Sequence, residues 1–167
     1  METAIKPHIG LSEGARLEVG QLLNLLLADE YVLYATTHDY HWNVTGPNFE
    51  SLHKLFEALY GEVHQYLDAI AERARAIGVG ARGSWGELTK TARAAAAPGT
   101  NLAAESMLME LVTLHEDLAI QLRGDAANAT RLADIGTADF LTGLLEKHEK
   151  AAWMLRSHLQ PQVVTTV

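Results

Sequence analysis

The strongest constraint on the fold is a three- and four-residue spacing of apolar side chains. It persists over four long stretches and lapses only at glycine- and proline-bearing breaks. In the first stretch, over about residues 12–41, Leu22, Leu25, Leu26, Val32 and Leu33 recur as one buried helix face requires. Thr45-Gly46-Pro47 interrupts the pattern, and Asn48 offers an N-cap for a second helix over about 48–77, which ends at Gly78 and Gly80 in C-cap position. A connector with Gly83, Gly86 and Pro98 follows and holds a short helix over about 85–92. The third helix starts near Asn101 or Leu102 and reads Met107, Leu108, Leu111, Leu114, Leu118 and Leu122. It weakens from Gly124 to Asn128, with a continuation over 131–133, and the fourth opens at the N-cap Thr137 and reaches about Leu159, before Pro161.

No stretch alternates long enough to form a sheet, so the chain is all-α. Four helices of roughly 22 to 30 residues in one small chain predict a four-helix bundle. The connection between the second and third is the longest, at roughly 20 residues, and carries the short extra helix. It is expected to cross the bundle and give an up-up-down-down path. The expected domain spans 12–160, between an N-terminal tail of 1–11 and a C-terminal tail of 161–167.

Composition narrows the chemistry. The chain has no cysteine, which excludes disulfides, thiolate catalysis, iron–sulfur clusters and cysteine-based zinc fingers. No run approaches the roughly 20 apolar residues of a membrane helix. The first residues have neither a basic segment nor an apolar one, so no signal peptide is expected and the expected location is the cytoplasm. A net charge of −8 opposes nucleic-acid binding by the whole surface and favours cations. Eight histidines beside 21 acidic residues make a metal site worth seeking.

The informative stretch is His41-Trp42-Asn43-Val44-Thr45-Gly46-Pro47-Asn48-Phe49-Glu50-Ser51-Leu52-His53, continued by Glu57, Asp68 and Glu72. On the second helix His53 and Glu57 are i,i+4 neighbours, as are Asp68 and Glu72, and at about 100° per residue all four fall within an arc of roughly 100°. Glu57 and Asp68 are 11 residues apart, roughly 16 Å along a helix. Metal–ligand bonds are about 2 Å, so one ion cannot hold both pairs of one chain. Two copies of this helix running antiparallel across a two-fold axis would bring the pairs together twice. His41, just before the Gly-Pro turn, can join the His53 end. Carboxylates at i,i+4 are commonly only a solvated face, but this face is flanked by Phe49, Leu52, Phe56 and Tyr60.

The pattern His-Trp-Asn-Val-x-Gly-x-x-Phe-x-x-Leu-His, followed by Asp-x-x-x-Glu-Arg over 68–73, closely resembles the Dps family, the DNA-binding proteins from starved cells. The resemblance extends over most of the chain, including Thr137-Ala138-Asp139 and the segment from Lys147-His148 to Trp153. It implies a ferritin-like bundle assembled into a hollow dodecamer from two-fold dimers. It also implies oxidation of Fe(II), preferentially with hydrogen peroxide over dioxygen, and storage of ferric iron inside the shell, with protection against oxidative stress. Carried over, His41, His53 and Glu57 come from one subunit and Asp68 and Glu72 from its mate. Position 57 is commonly Asp in the family. The extra methylene of Glu57 moves the carboxylate by about 1 Å or more, which bears on iron affinity. Carboxylate and neutral imidazole suit Fe(II), with zinc as a competitor.

Three further features accompany this set. Trp42, beside His41, is placed to supply or quench an electron, or to serve as an ordinary packing aromatic. His64 lies on the same helix face between the ligand pairs, as a packed imidazole or a secondary metal position. Asp134 and Asp139 resemble the acidic residues lining the family's three-fold entry pores, and acidic residues also suit a helix N-terminus for its dipole alone. Glu50 and His53 form one Glu-x-x-His, but the fourth helix offers Glu146, His148 and Glu149 without a second, which counts against a di-iron centre inside each bundle. The basic residues of 1–11 are limited to Lys6, offset by Glu2, and the last seven residues have none, so weak or absent DNA binding is expected. The alternative reading is a DNA-coating, nucleoid-associated protein in which iron oxidation is secondary.

Overall fold

The structure, a computed structural model, describes residues 6–94 and 102–159. The expected helix start near Asn101, the break at Pro98 and the outer parts of both tails (1–5 and 160–167) lie outside the described residues. Among the described residues the chain forms five helices and no strand: α1 Glu13–Asn43, α2 Phe49–Ala76, α3 Trp85–Thr91, α4 Ala104–Arg131 and α5 Ile135–Leu159.

The ends of the helices follow from local chemistry. Ser12 caps α1, its Oγ accepting from the Ala15 amide at 3.1 Å. Gly78, at φ +82°, closes α2 in a Schellman turn, with Val79 N–H donating to Ala74 and Gly78 N–H to Arg75. At the end of α4 the same turn is built on Ala133 at φ +60°: Asp134 N–H donates to Ala129 and Ala133 N–H to Thr130. This corrects two expectations. The third long helix does not weaken at Gly124 but continues to Arg131, and the fourth starts at Ile135, ahead of Thr137. Its cap is Asp134, whose Oδ1 accepts from the Thr137 amide at 2.9 Å.

Helices α1 and α2 form one closely packed hairpin and α4 and α5 the other, joined by the connection over residues 77–103. Cross-links set the direction of each helix. Tyr40, late in α1, donates to Glu110, early in α4, at 2.6 Å, and Arg131, at the end of α4, pairs with Glu18, early in α1. Arg73, late in α2, reaches Thr137 and Asp134 at the start of α5. The path is therefore up-down-down-up. The up-up-down-down order expected from the long connection needs two crossovers, whereas here both hairpin loops are short and one connection crosses.

Side chains from the four long helices fill one core; Leu23, Leu26, Leu33, Phe56, Ile70, Leu111, Leu122 and Leu141 are among those that water does not reach. Each such side chain contributes roughly 1.5–3 kcal/mol. The crossing connection is clasped to α1 by buried polar groups. Asn24 donates to Gly80 O and accepts from the Arg82 amide, and Asp29 accepts from the Arg93 and Ala94 amides and from Arg93 Nε at 2.7 Å. Close approach fixes one residue: a Cβ at Gly20 would sit 2.5 Å from the Val79 side chain.

Candidate metal centre

The end of α1 and the start of α2 are joined by residues 44–48, where Gly46 takes φ +108° and accepts from the Phe49 amide. This tight corner brings His41 and His53 face to face, with ring centroids 3.8 Å apart and 20° between the planes. Each ring is held by the other helix. The two Nδ1 atoms lie 2.9 and 2.8 Å from the backbone oxygens of His53 and His41 respectively. A carbonyl only accepts, so both Nδ1 atoms carry the proton, and in the neutral form of each ring the lone pair is on Nε2. The His41 carbonyl belongs to the last turn of α1, where it has no intrahelical donor, and the imidazole of His53 satisfies it. The result is a pair of stacked imidazoles held through Nδ1, with neither Nε2 engaged in a hydrogen bond.

Aromatic rings wall this pair. Phe49 stacks on His53 at 5.1 Å and Tyr60 meets His41 edge-on at 5.2 Å. His38 lies between Tyr60 (4.3 Å) and Trp42 (4.0 Å), and its pKa is lowered by burial and then by His41. Trp42 itself is 64% exposed. Sequence reasoning missed His38 and Tyr34. The available signal was the spacing Tyr34–His38–His41 on one face of α1.

The carboxylates are placed differently. Glu57 follows His53 by one turn, and Asp68 and Glu72 are one turn apart further along α2; all three are exposed. None makes a hydrogen bond or ion pair among the described residues. Within one chain no three His, Cys, Asp or Glu side chains among the described residues gather closely enough to hold an ion. The structure thus joins His41 to His53; Glu57 follows one turn along α2 without closing on the pair, and Asp68 and Glu72 lie on the same helix at the far side of the roughly 16 Å gap. Asp68 and the exposed His64 line a shallow groove of about 490 Å³ with Leu27, Tyr31, Tyr34 and Leu67, and His64 lies 5.9 Å from Tyr34.

Of the two acidic residues at the start of α5, Asp139 is exposed while Asp134 is buried. Asp134 binds Arg73 Nη2 at 2.8 Å and the Thr137 hydroxyl at 2.6 Å. Its charge is engaged in fastening α2 to α5. A second paired-histidine feature, unseen in the sequence, lies in the bundle centre: the Nδ1 atoms of His115 and His148 are 3.0 Å apart, and His148 Nε2 lies 2.8 Å from Glu30 Oε1. A single polar residue on an otherwise apolar helix face gives no sequence signal of such a partner.

Comparison with known proteins agrees with this architecture. Residues 20–162 match the ferritin-like domain family. A low temperature-induced protein of Nostoc sp. is 43% identical over 158 residues, covering 94% of this chain and 88% of the relative. A DNA protection during starvation protein of Brevibacillus brevis is 37% identical over 142 residues, 85% of this chain and 95% of the relative. The crystal structure of a Dps protein from Vibrio cholerae, described as a member of a broad superfamily of ferritin-like diiron-carboxylate proteins, superposes with a TM-score of 0.87 at 29% identity, covering 93% of this chain and 97% of the other. With the family match spanning most of its length, the chain belongs to the Dps family of ferritin-like proteins.

Proposed function

We propose that this protein oxidises Fe(II), preferentially with hydrogen peroxide, at centres shared between two subunits, and stores the ferric product inside a hollow dodecamer, protecting the cell against oxidative stress. The observation that carries the reading is the locked His41/His53 pair. Both Nε2 atoms are free of hydrogen bonds, Glu57 lies one turn beyond His53 on α2, and Asp68 and Glu72 occupy the same helix too far away to reach them in one chain. Antiparallel pairing of α2 across a two-fold axis supplies Asp68 and Glu72 from the mate and completes a site of two imidazoles and three carboxylates.

Such a site binds Fe(II) as substrate through nitrogen and carboxylate oxygen, and the hard oxygens favour the Fe(III) product. Two ferrous ions give one electron each, and the O–O bond of peroxide accepts both. Trp42 and the tyrosine of the aromatic wall are oxidisable neighbours, able to give an electron to an oxidising radical formed near the site. Zinc suits the same nitrogens and competes. Asp139 is the free carboxylate for guiding Fe²⁺ toward an entry pore by its field; Asp134, tied to Arg73, contributes little to it.

DNA coating is disfavoured. Lys6, the basic residue of the N-terminal segment, pairs with Glu13 at 2.9 Å, and the net charge of −8 repels phosphate. The proposed location is the cytoplasm.

The test is to load Fe(II) anaerobically, add peroxide and follow ferric absorbance, in the wild type and in His53→Ala/Asp68→Ala. Loss of the fast phase in the variant is expected, and unchanged rates would sink the site. Light scattering reads the assembly, and a stable monomer is incompatible with a centre split between chains.

A further inference from the structure

Glu30 of α1, His115 of α4 and His148 of α5 meet in the bundle interior with at most 1% of their surface exposed. The histidines link the two helices of the α4–α5 hairpin, and Glu30 ties them to α1. Two atoms of the cluster, Glu30 Oε2 and His115 Nε2, are buried with no hydrogen-bond partner. Nothing in the proposed iron chemistry uses any of these residues.

Counting protons shows what the cluster tolerates. An ionised carboxylate only accepts, so His148 Nε2 carries the proton shared with Glu30. Across the 3.0 Å gap between the Nδ1 atoms there is room for one hydrogen, donated from either ring. With both imidazoles neutral, His115 Nδ1–H donates to His148. One added proton is accommodated without moving a heavy atom: His148 becomes the donor and its charge is offset by Glu30. A further proton leaves N–H facing N–H across the same gap, with two cations in a site shut off from water. We propose that the Glu30–His148–His115 chain is an acid latch on the α4–α5 hairpin, closed while the imidazole pair shares a single proton between its Nδ1 atoms and forced open when both rings become cationic.

The surroundings offer no escape for the charge. From α1 the group faces Glu30, because the neighbouring Asp29 is turned to Arg93. From α2 it faces Tyr66, whose ring meets His148 edge-on at 5.8 Å and whose hydroxyl is bound to Glu62, with Lys147 of α5 4.8 Å above that ring. On α4, Glu110 is bound to Tyr40, more than a turn from His115. Burial first, and then the charge of His148, holds the pKa of His115 well below the ordinary histidine value. An unfolded chain takes up that proton near pH 6.5 and the native bundle resists it. The contribution to stability is therefore complete above about pH 6.5 and is lost as pH falls below it.

The experiment is acid unfolding of the assembled protein from pH 8 to 4, followed by far-UV circular dichroism and light scattering. His115→Asn keeps a donor near the position of Nδ1 but cannot take a proton, and its midpoint is expected to fall by about half a pH unit or more. Glu30→Gln keeps an acceptor for His148 but removes the compensating charge, and its midpoint is expected to rise. The histidines at the metal centre titrate alike in all three proteins and cancel from the comparison. Midpoints unchanged in both variants would overturn the latch. If the variants do not fold, histidine C2–H exchange read by mass spectrometry on the wild type decides. Slow exchange at His115 with its inflection well below pH 6.5 supports the latch, and an ordinary inflection refutes it.

Discussion

Two histidine pairs in this chain show how geometry sorts one side chain into opposite tasks. At the α1–α2 corner the rings of His41 and His53 stack, their Nδ1 protons go to backbone carbonyls, and both Nε2 atoms are left for a ligand. In the bundle centre His115 and His148 spend their Nδ1 atoms on each other, and the second nitrogen of His148 on Glu30. The first pair stands among aromatic rings at a helix end; the second is buried in the bundle, with Glu30 and Tyr66 against it. An imidazole whose polar needs are met by backbone is available to bind, whereas one satisfied by another titratable side chain is committed to structure and to protons.

That contrast is broken most severely in the centre. Glu30→Ala removes the carboxylate from a buried imidazole and leaves a void, and is expected to lower stability by about 3–5 kcal/mol in urea unfolding. The same measurement on Glu57→Ala should be indistinguishable from wild type, because Glu57 makes no hydrogen bond or ion pair within the described residues of the chain. A loss of comparable size there would mean that the two regions are not distinct. Next in size, His53→Ala should slow peroxide-driven ferric formation by at least about tenfold and cost little stability beyond its hydrogen bond to the His41 carbonyl, about 1 kcal/mol. The smallest effect is expected from Glu57→Asp, which withdraws the carboxylate by one methylene. Fe(II) affinity by anaerobic titration should change by a few-fold, roughly 1 kcal/mol or less, with the unfolding curve unmoved.

Much of this was legible in the sequence where chemistry is local. The spacing of leucines predicts the helices, Ser12 and Gly78 mark ends that the structure keeps, and the placement of His53, Glu57, Asp68 and Glu72 along one face of α2 follows from counting along the helix. What escaped depends on contacts between distant segments or on strain. Ala133 adopts a left-handed turn usually given to glycine, at a cost of about 1 kcal/mol or more, so the end of α4 carried no glycine signal. The partner of Asp134, Arg73, lies 61 positions away in sequence. The direction of the long helices is set by pairs such as Tyr40–Glu110, and the tautomers of His41 and His53 by carbonyls across a corner. No local pattern encodes either.

The corner has one more consequence, for the entropy of binding. A free histidine must surrender rotamer freedom when it captures an ion, at about 0.5–1.5 kcal/mol for an immobilised side chain. Here both imidazoles were fixed when the chain folded, each clamped by the backbone of the opposite helix. An ion bound as proposed would meet rings already oriented, so the loss would fall on making the hairpin and not on meeting the metal. On the proposed function the integrity of five loop residues is a determinant of affinity, and any disturbance that lets this hairpin fray should be felt as weaker metal capture before it is felt as unfolding.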